Sequence, residues 1–203
     1  MKLIGMLDSP YVRRVAISAR LMGVALEHES VSVFRHMDRF SAINPLIKAP
    51  TLICDDGGIL MDSTLILDHV EAHADATRRL TPAEGPPRQQ ALYRVGVALV
   101  AMEKAVQWYY EIALRPETKR WDDWIARISL QLQRAFELLE VALPAEGWFG
   151  GDHLDSADVA CAVAWRFTHF VLPGKLDAAD FPRIAAHSAR AEARPEFLAC
   201  PLE

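Results

Sequence analysis

Cysteine is scarce in this sequence. Cys54, Cys161 and Cys200 are scattered and odd in number, so they form no disulfide framework, and a reducing cytoplasm is the expected compartment. Long apolar runs are missing too. Stretches such as Val95 to Met102 fall well short of the roughly 20 residues needed to cross a bilayer, so no membrane partner is expected. The opening MKLIGML is cut short by Asp8 before it reaches the apolar length of a signal peptide. Basic residues are not in excess either: 22 Lys and Arg against 27 Asp and Glu give a net charge of −5 with His neutral. That balance argues against nucleic acid as a partner. The chain has no Gly-rich phosphate loop, no Ser-His-Asp spacing and no internal repeat.

What remains is an ordinary globular composition, 51% apolar and 24% charged over 203 residues, enough for one large domain or two compact ones. The first third alternates strand-like and helical patterns. Lys2 to Met6 reads as a strand. A helix follows Ser9, with Val12, Val15, Ala16, Ala19 and Met22 in steps of three and four and Gly23 as its stop. Glu27 to Val33 alternates as a second strand, and Arg35 to Asn44 holds one or two helical turns. Thr51 to Cys54 and Ile59 to Met61 flank the turn Asp55-Asp56-Gly57-Gly58 as a hairpin, and a helix starts near Asp62. The order is β-α-β-α-β-β-α.

Thr81 to Pro87 is a proline-rich connector, and past it strand signals fade. Leu92, Val95, Leu99, Met102 and Val106 keep helical spacing, as do Trp121, Trp124, Ile125, Ile128, Leu132 and Leu139, which implies a helical bundle. A third helix opens at Asp155-Ser156-Ala157-Asp158, with Asp155 as N-cap and Asp158 completing a shortened capping box. A fourth is expected from Phe181 to Ala193. The expected domains are residues 1–76, a linker over 77–88, and an all-helical domain over 89–203.

Three short segments are candidate sites, and each has a structural explanation as well. Ser9-Pro10 is an ordinary helix start, Ser as cap and Pro at the first helical position. A helix start also favours an anion, and a hydroxyl there can donate to a ligand's thiolate. Lys48-Ala49-Pro50 places Pro at a strand entrance, where it costs no ladder bond. A cis bond at Ala49-Pro50 would instead offer Ala49's backbone to an extended peptide. Asp62 and Ser63 are common caps, and they equally suit the ammonium and carboxylate of an amino-acid head. His69 and His73 have metal-compatible spacing, but no third ligand is evident nearby, so no metal is expected.

Ser9-Pro10-Tyr11-Val12-Arg13-Arg14, Asn44 to Pro50, Asp62-Ser63 and Asp155 to Asp158, in this order and spacing, resemble the cytosolic glutathione transferase family over essentially the whole chain. The likeness is greatest to small bacterial members with Ser-Pro-(Tyr/Phe)-Val-Arg at the first helix. The resemblance implies an α/β thioredoxin-like N-terminal domain and an all-α C-terminal bundle. It implies glutathione as co-substrate, with Ser9 stabilising its thiolate. Ala49 would pair with the cysteinyl part, and Asp62 and Ser63 with the γ-glutamyl head. Lys48, or less well His36, would meet the glycine carboxylate. Met102, Trp108, Tyr109 and Trp165 are the candidates for the electrophile pocket. A cytoplasmic homodimer acting in detoxification is also implied. Ile47 stands where many members have Gly, Asp62 where Glu is common, and Asp155 where Ser or Thr is usual. A non-catalytic binding or regulatory module and a glutathione-dependent peroxidase or thiol-redox enzyme are the alternatives.

Overall fold

The computed structural model describes residues 1–202. The chain divides into two compact units, one formed by Met1–Leu80 with the chain from Ala193 onward, the other by Thr81–Glu192.

The first unit contains β1 (Lys2–Ile4), α1 (Pro10–Met22), β2 (Glu27–Glu29), α2 (Met37–Ile43), β3 (Thr51–Ile53), β4 (Ile59–Met61) and α3 (Ser63–Ala72). This is the expected β-α-β-α-β-β-α order. Its strands form one sheet in the order β2-β1-β3-β4. Parallel pairing matches Leu3 with His28, and antiparallel pairing matches Leu3 with Leu52 and Leu52 with Leu60. A helical crossover from β1 to β2 is what a parallel pair requires.

Two strands end sooner than the residue pattern implies. Gly5, at φ +138, turns the chain out of β1. After Glu29 the alternation of apolar residues continues, but Val31 packs with Ile4 and Phe40 as core rather than as strand. The Ser32 hydroxyl accepts from the N–H groups of Phe34 and Arg35, and this turn chemistry ends the strand pattern. Gly23 stops α1 as expected, in the left-handed region at φ 73, with its N–H on the carbonyls of Ala19 and Arg20.

The second unit packs α4 (Gly85–Ala113) against α5 (Asp122–Ala142) and α6 (Ser156–Val171), with α7 (Pro182–Glu192) on α6. Pro86 and Pro87 belong to the first turn of α4, where a missing N–H costs nothing, so the proline-rich stretch is partly helix rather than all linker. The buried face of α4 runs through Ala91, Val95, Ala98, Ala101, Met102 and Ala105, so Val95 and Met102 of the expected stripe are buried while Leu92 is exposed. Small residues allow close approach of α5 and α6, which an apolar stripe drawn from large side chains does not anticipate. Helix α6 is buried almost all round, from Ala157 to Trp165, as befits the central helix of a bundle.

The end of the chain differs from the expected division. A short helix, α8 (Pro195–Leu198), belongs with the first unit and packs on α1. Buried Arg13 donates through Nε to the Cys200 carbonyl at 2.7 Å, and its guanidinium carbon lies 5.9 Å from the centroid of the buried Phe197 ring.

Candidate functional site

The first turns of α1 are the meeting point of the three candidate segments. Ser9 is half-buried and caps α1 from extended backbone, φ −72 and ψ 122. Its Oγ accepts from the Val12 N–H at 3.4 Å, a long bond, and its carbonyl accepts from Arg13 at 2.9 Å. The cap uses an oxygen lone pair, so the hydroxyl proton is not spent on the helix.

Gly5 joins this turn to the second segment. A Cβ at Gly5 would stand 2.6 Å from Val12 Cγ2 and 3.2 Å from Ala49 Cβ. Glycine therefore permits the close approach of β1, α1 and the loop before β3. That loop contains a cis Ala49-Pro50 bond. Buried Asn44 braces it, donating to Thr51 Oγ1 at 2.8 Å and accepting from Leu46 N at 3.0 Å. Thr51 Oγ1 in turn donates to the Lys48 carbonyl at 2.7 Å. Ile47 holds φ +49 within this brace, the region that explains why glycine suits the position. Its side chain packs against the Ile4, Val31 and Phe40 cluster in compensation. The Lys48 side chain is exposed, as is His36, whose Nδ1 accepts from Ser32 N at 3.3 Å.

The third segment is tied to α1 by a residue whose role the sequence did not reveal. Arg14 is only 3% exposed, and its Nη1 donates to Ser63 Oγ at 3.1 Å and Thr64 Oγ1 at 3.3 Å. Burial pushes its pKa down to about 10, with the charges of Asp62 and Tyr11 opposing that shift; the group stays cationic at neutral pH. Asp62, at φ 70, caps α3 by accepting from Thr64 N at 2.8 Å. Ser63, 3% exposed, accepts from Arg14 and keeps its own hydroxyl proton to donate. One sequence signal pointed this way: α1 carries Arg13 and Arg14 side by side with no acid anywhere in the helix, so both cations must find partners outside it.

The remaining candidates belong to other parts of the sequence. Met102, Trp108 and Tyr109 are on α4 and Trp165 is on α6, all in the second unit. Met102 and Trp165 are buried, and the Trp165 ring packs edge-on against Phe136 at 5.2 Å and lies 4.1 Å from the His169 ring. Trp108 is largely buried and Tyr109 half-buried. His69 and His73 pack with ring centroids 4.8 Å apart, and His69 Nε2 stands 3.8 Å from Cys54 Sγ. Among the described residues, no group of three His, Cys, Asp or Glu is arranged to hold a metal ion. Burial raises the Cys54, Cys161 and Cys200 thiols above their ordinary range, which makes each a poor nucleophile. A hollow of about 650 Å³ lined by Leu3, Ala16, Arg20 and His28 contains none of Ser9, Lys48, Ala49, Asp62 or Ser63. No helix among the described residues is long and apolar enough to cross a membrane.

A mixed four-stranded sheet with a cis-proline entering β3, joined in sequence to a bundle of long helices, is a two-part α/β and all-α architecture. Known proteins share it. The family model for the glutathione S-transferase N-terminal domain matches residues 3–78, and that for the C-terminal domain matches residues 122–190. An Escherichia coli (strain K12) chain described as an uncharacterized GST-like protein, YibF, is 28% identical over 180 residues, covering 86% of each chain. A glutathione transferase family member from Pseudomonas fluorescens Pf-5, solved with bound S-(propanoic acid)-glutathione, is 31% identical with a TM-score of 0.83 and 98% of each chain covered. A glutathione S-transferase from Methylobacterium radiotolerans, in complex with glutathione sulfonate, is 26% identical with a TM-score of 0.90, covering 98% of this chain and 93% of its own.

The chain belongs to the glutathione S-transferase family. Its N-terminal unit is thioredoxin-like and its C-terminal unit is the family's helical domain.

Proposed function

We propose that this chain is a glutathione transferase in which Ser9 holds the glutathione sulfur as its thiolate for attack on a small, largely apolar electrophile. The observation that carries the reading is the Ser9 hydroxyl: half-buried at the start of α1, with its proton free of the capping bond. Glutathione itself comes to the reading from relatives solved with glutathione derivatives bound. In the proposed site Ala49 pairs with the cysteinyl backbone, Asp62 meets the γ-glutamyl ammonium, Ser63 donates to its carboxylate, and Lys48 meets the glycine carboxylate. Met102, Trp108, Tyr109 and Trp165 are the candidates for the electrophile's pocket, and of the four only Tyr109 is not buried.

The chemistry follows from charge. The thiol gives its proton to solvent, the sulfur lone pair forms the bond to an electrophilic carbon, and any leaving group departs with its electrons. A two-unit fall in the thiol's pKa corresponds to about 2.7 kcal/mol. One hydrogen bond to a charged acceptor supplies about 1.5–3 kcal/mol, and a helix N-terminus about 0.3–1 kcal/mol more. Serine and the helix start together span about 1.8–4 kcal/mol, a range that brackets the requirement. The S-(propanoic acid)-glutathione held by the Pseudomonas relative is a sulfur–carbon conjugate, the class of product this attack forms. A cytoplasmic homodimer acting in detoxification completes the proposal.

The test is calorimetric titration with glutathione beside turnover of an electrophile panel. Saturable binding with conjugation, lost on Ser9→Ala at a near-constant glutathione affinity, is expected. No binding would favour a regulatory module, and binding without turnover a ligand sensor.

A further inference from the structure

The turn that delivers Ser9 is held by a residue from outside both the turn and the candidate site. Gly5 is buried and leaves β1 at φ +138. Its N–H donates to the Glu29 carbonyl at 3.1 Å, which prolongs the pairing of β1 with β2 by one bond. Its carbonyl is met by a side chain instead. Among the described residues the donor is the imidazole of His28 on β2, whose Nε2 stands at 2.7 Å. A carbonyl only accepts, so the proton is on Nε2, and the bond holds whether or not Nδ1 carries a second one.

The residues that follow carry this constraint forward. Met6 is next in the chain, and its carbonyl accepts from the Ser9 N–H at 3.2 Å. Downstream, the Ser9 carbonyl accepts from Arg13 N at 2.9 Å, which ties the backbone to α1. The hydroxyl is tied to the helix only by the capping bond from Val12 N. At 3.4 Å that bond is longer than the roughly 2.7–3.2 Å of a firm one. The helix therefore fixes the Ser9 backbone and leaves the place of Oγ dependent on how the chain arrives.

Packing does not fix that arrival from the β2 side. Leu7 of the turn and His28 both line the hollow of about 650 Å³, together with Leu3, Ala16 and Arg20. The close contacts of Gly5 are with Val12 on α1 and Ala49 before β3, so toward the hollow the turn has room to move. A buried carbonyl that loses its donor is costly until it finds another or reaches water. Rotation of the Gly5–Met6 peptide toward the hollow satisfies it at the expense of the bond between Met6 and Ser9. The hollow contains none of the proposed glutathione-binding residues, so His28 acts through the turn and not on the ligand.

Resting on Ser9 as the donor to the thiolate, we propose that His28 is a positioning residue for the Ser9 hydroxyl, acting from β2 through the Gly5 carbonyl and the Met6–Ser9 bond.

The test compares wild type, Ser9→Ala, His28→Ala and His28→Gln, each saturated with glutathione, by pH titration of thiolate absorbance. His28→Ala should raise the bound thiol's pKa by about one unit, a roughly tenfold loss of thiolate at a pH below both values, with glutathione still bound. His28→Gln sets an amide N–H at a similar reach and should bring the thiol back to within about 0.3 of a pKa unit of wild type. His28 is exposed on a three-residue edge strand, so both variants should fold, which urea midpoints check. A lowered midpoint with an unmoved thiol makes His28 purely structural and overturns the proposal. A shift that glutamine fails to reverse overturns it too, since the donor is then not what matters. Ser9→Ala keeps the two claims apart. A thiol raised by Ser9→Ala but not by His28→Ala refutes the role of His28 alone, whereas a thiol that Ser9→Ala leaves in place refutes Ser9 as the donor. Hydrogen exchange of the Ser9 amide without glutathione reads the geometry by itself. It should quicken at least roughly tenfold in His28→Ala, with the Ile66 amide of α3 as the unchanged control. An unchanged Ser9 rate overturns the proposal whatever the thiol does.

Discussion

Replacing Arg14 with methionine separates what this residue does for folding from what it does for binding. The guanidinium is buried, and its pKa is lowered from 12.5 to about 10. That depression corresponds to a cost of about 3 kcal/mol for keeping the charge out of water. Against it stand two charge-assisted bonds, to Ser63 at 3.1 Å and Thr64 at 3.3 Å, each worth about 1.5 kcal/mol at the low end of the range because they are long. The two sides nearly cancel, and methionine fills much of the same volume. Arg14→Met should therefore change unfolding stability by less than about 2 kcal/mol. Binding should respond differently. Arg14 fixes Ser63 as an acceptor, which aims the hydroxyl proton outward, and it balances the charge of Asp62. Losing one aimed, charge-assisted bond costs about 1.5–3 kcal/mol, a roughly ten- to hundredfold rise in the glutathione Kd. Calorimetry and urea unfolding on the same preparations supply both numbers. Unchanged glutathione affinity with stability lowered by more than about 3 kcal/mol would refute the reasoning and make Arg14 purely structural.

Other perturbations follow from the same geometry. Gly5→Ala places a Cβ 2.6 Å from Val12 at φ +138 and should destabilise by about 2–5 kcal/mol through clash and backbone strain together, read as a lowered urea midpoint. Asn44→Ala leaves Leu46 N and buried Thr51 without their partner, and should cost about 1–3 kcal/mol together with a higher glutathione KM. Phe197→Ala empties a fully buried site against α1 and should cost about 3–5 kcal/mol in unfolding followed by hydrogen exchange of α1.

Local pattern carried much of the fold. Turn residues at Asp55 to Gly58, the stop at Gly23 and the Asp155–Asp158 box all act over a few residues, and each appears where its chemistry implies. The stripe on α4 was legible in part: Val95 and Met102 are buried as their spacing implies, while Leu92 is exposed and alanines fill most of the rest of the buried face. Strand β2 was overextended because Val31 and Val33 alternate like a strand while packing with Phe40 across a turn. The candidate site shows the same division. Ser9, Ala49-Pro50 and Asp62-Ser63 stand out as helix starts or a strand entrance, since such positions favour few residue types. Arg14 and Arg13 did not, because their partners lie 49 and 187 residues away and periodicity carries no information over that distance. The place of the chain's end with the first unit was hidden for the same reason.

The most direct test of Ser9 is the pH titration of glutathione thiolate absorbance when bound to the wild type and to Ser9→Ala. The account predicts a bound thiol that ionises about two units below the free value of ~8.5 in the wild type. In Ser9→Ala it should return most of the way, by an amount matching about 1.5–3 kcal/mol, with glutathione still bound. The same bound pKa in both proteins would contradict the claim that the Ser9 hydroxyl holds the thiolate.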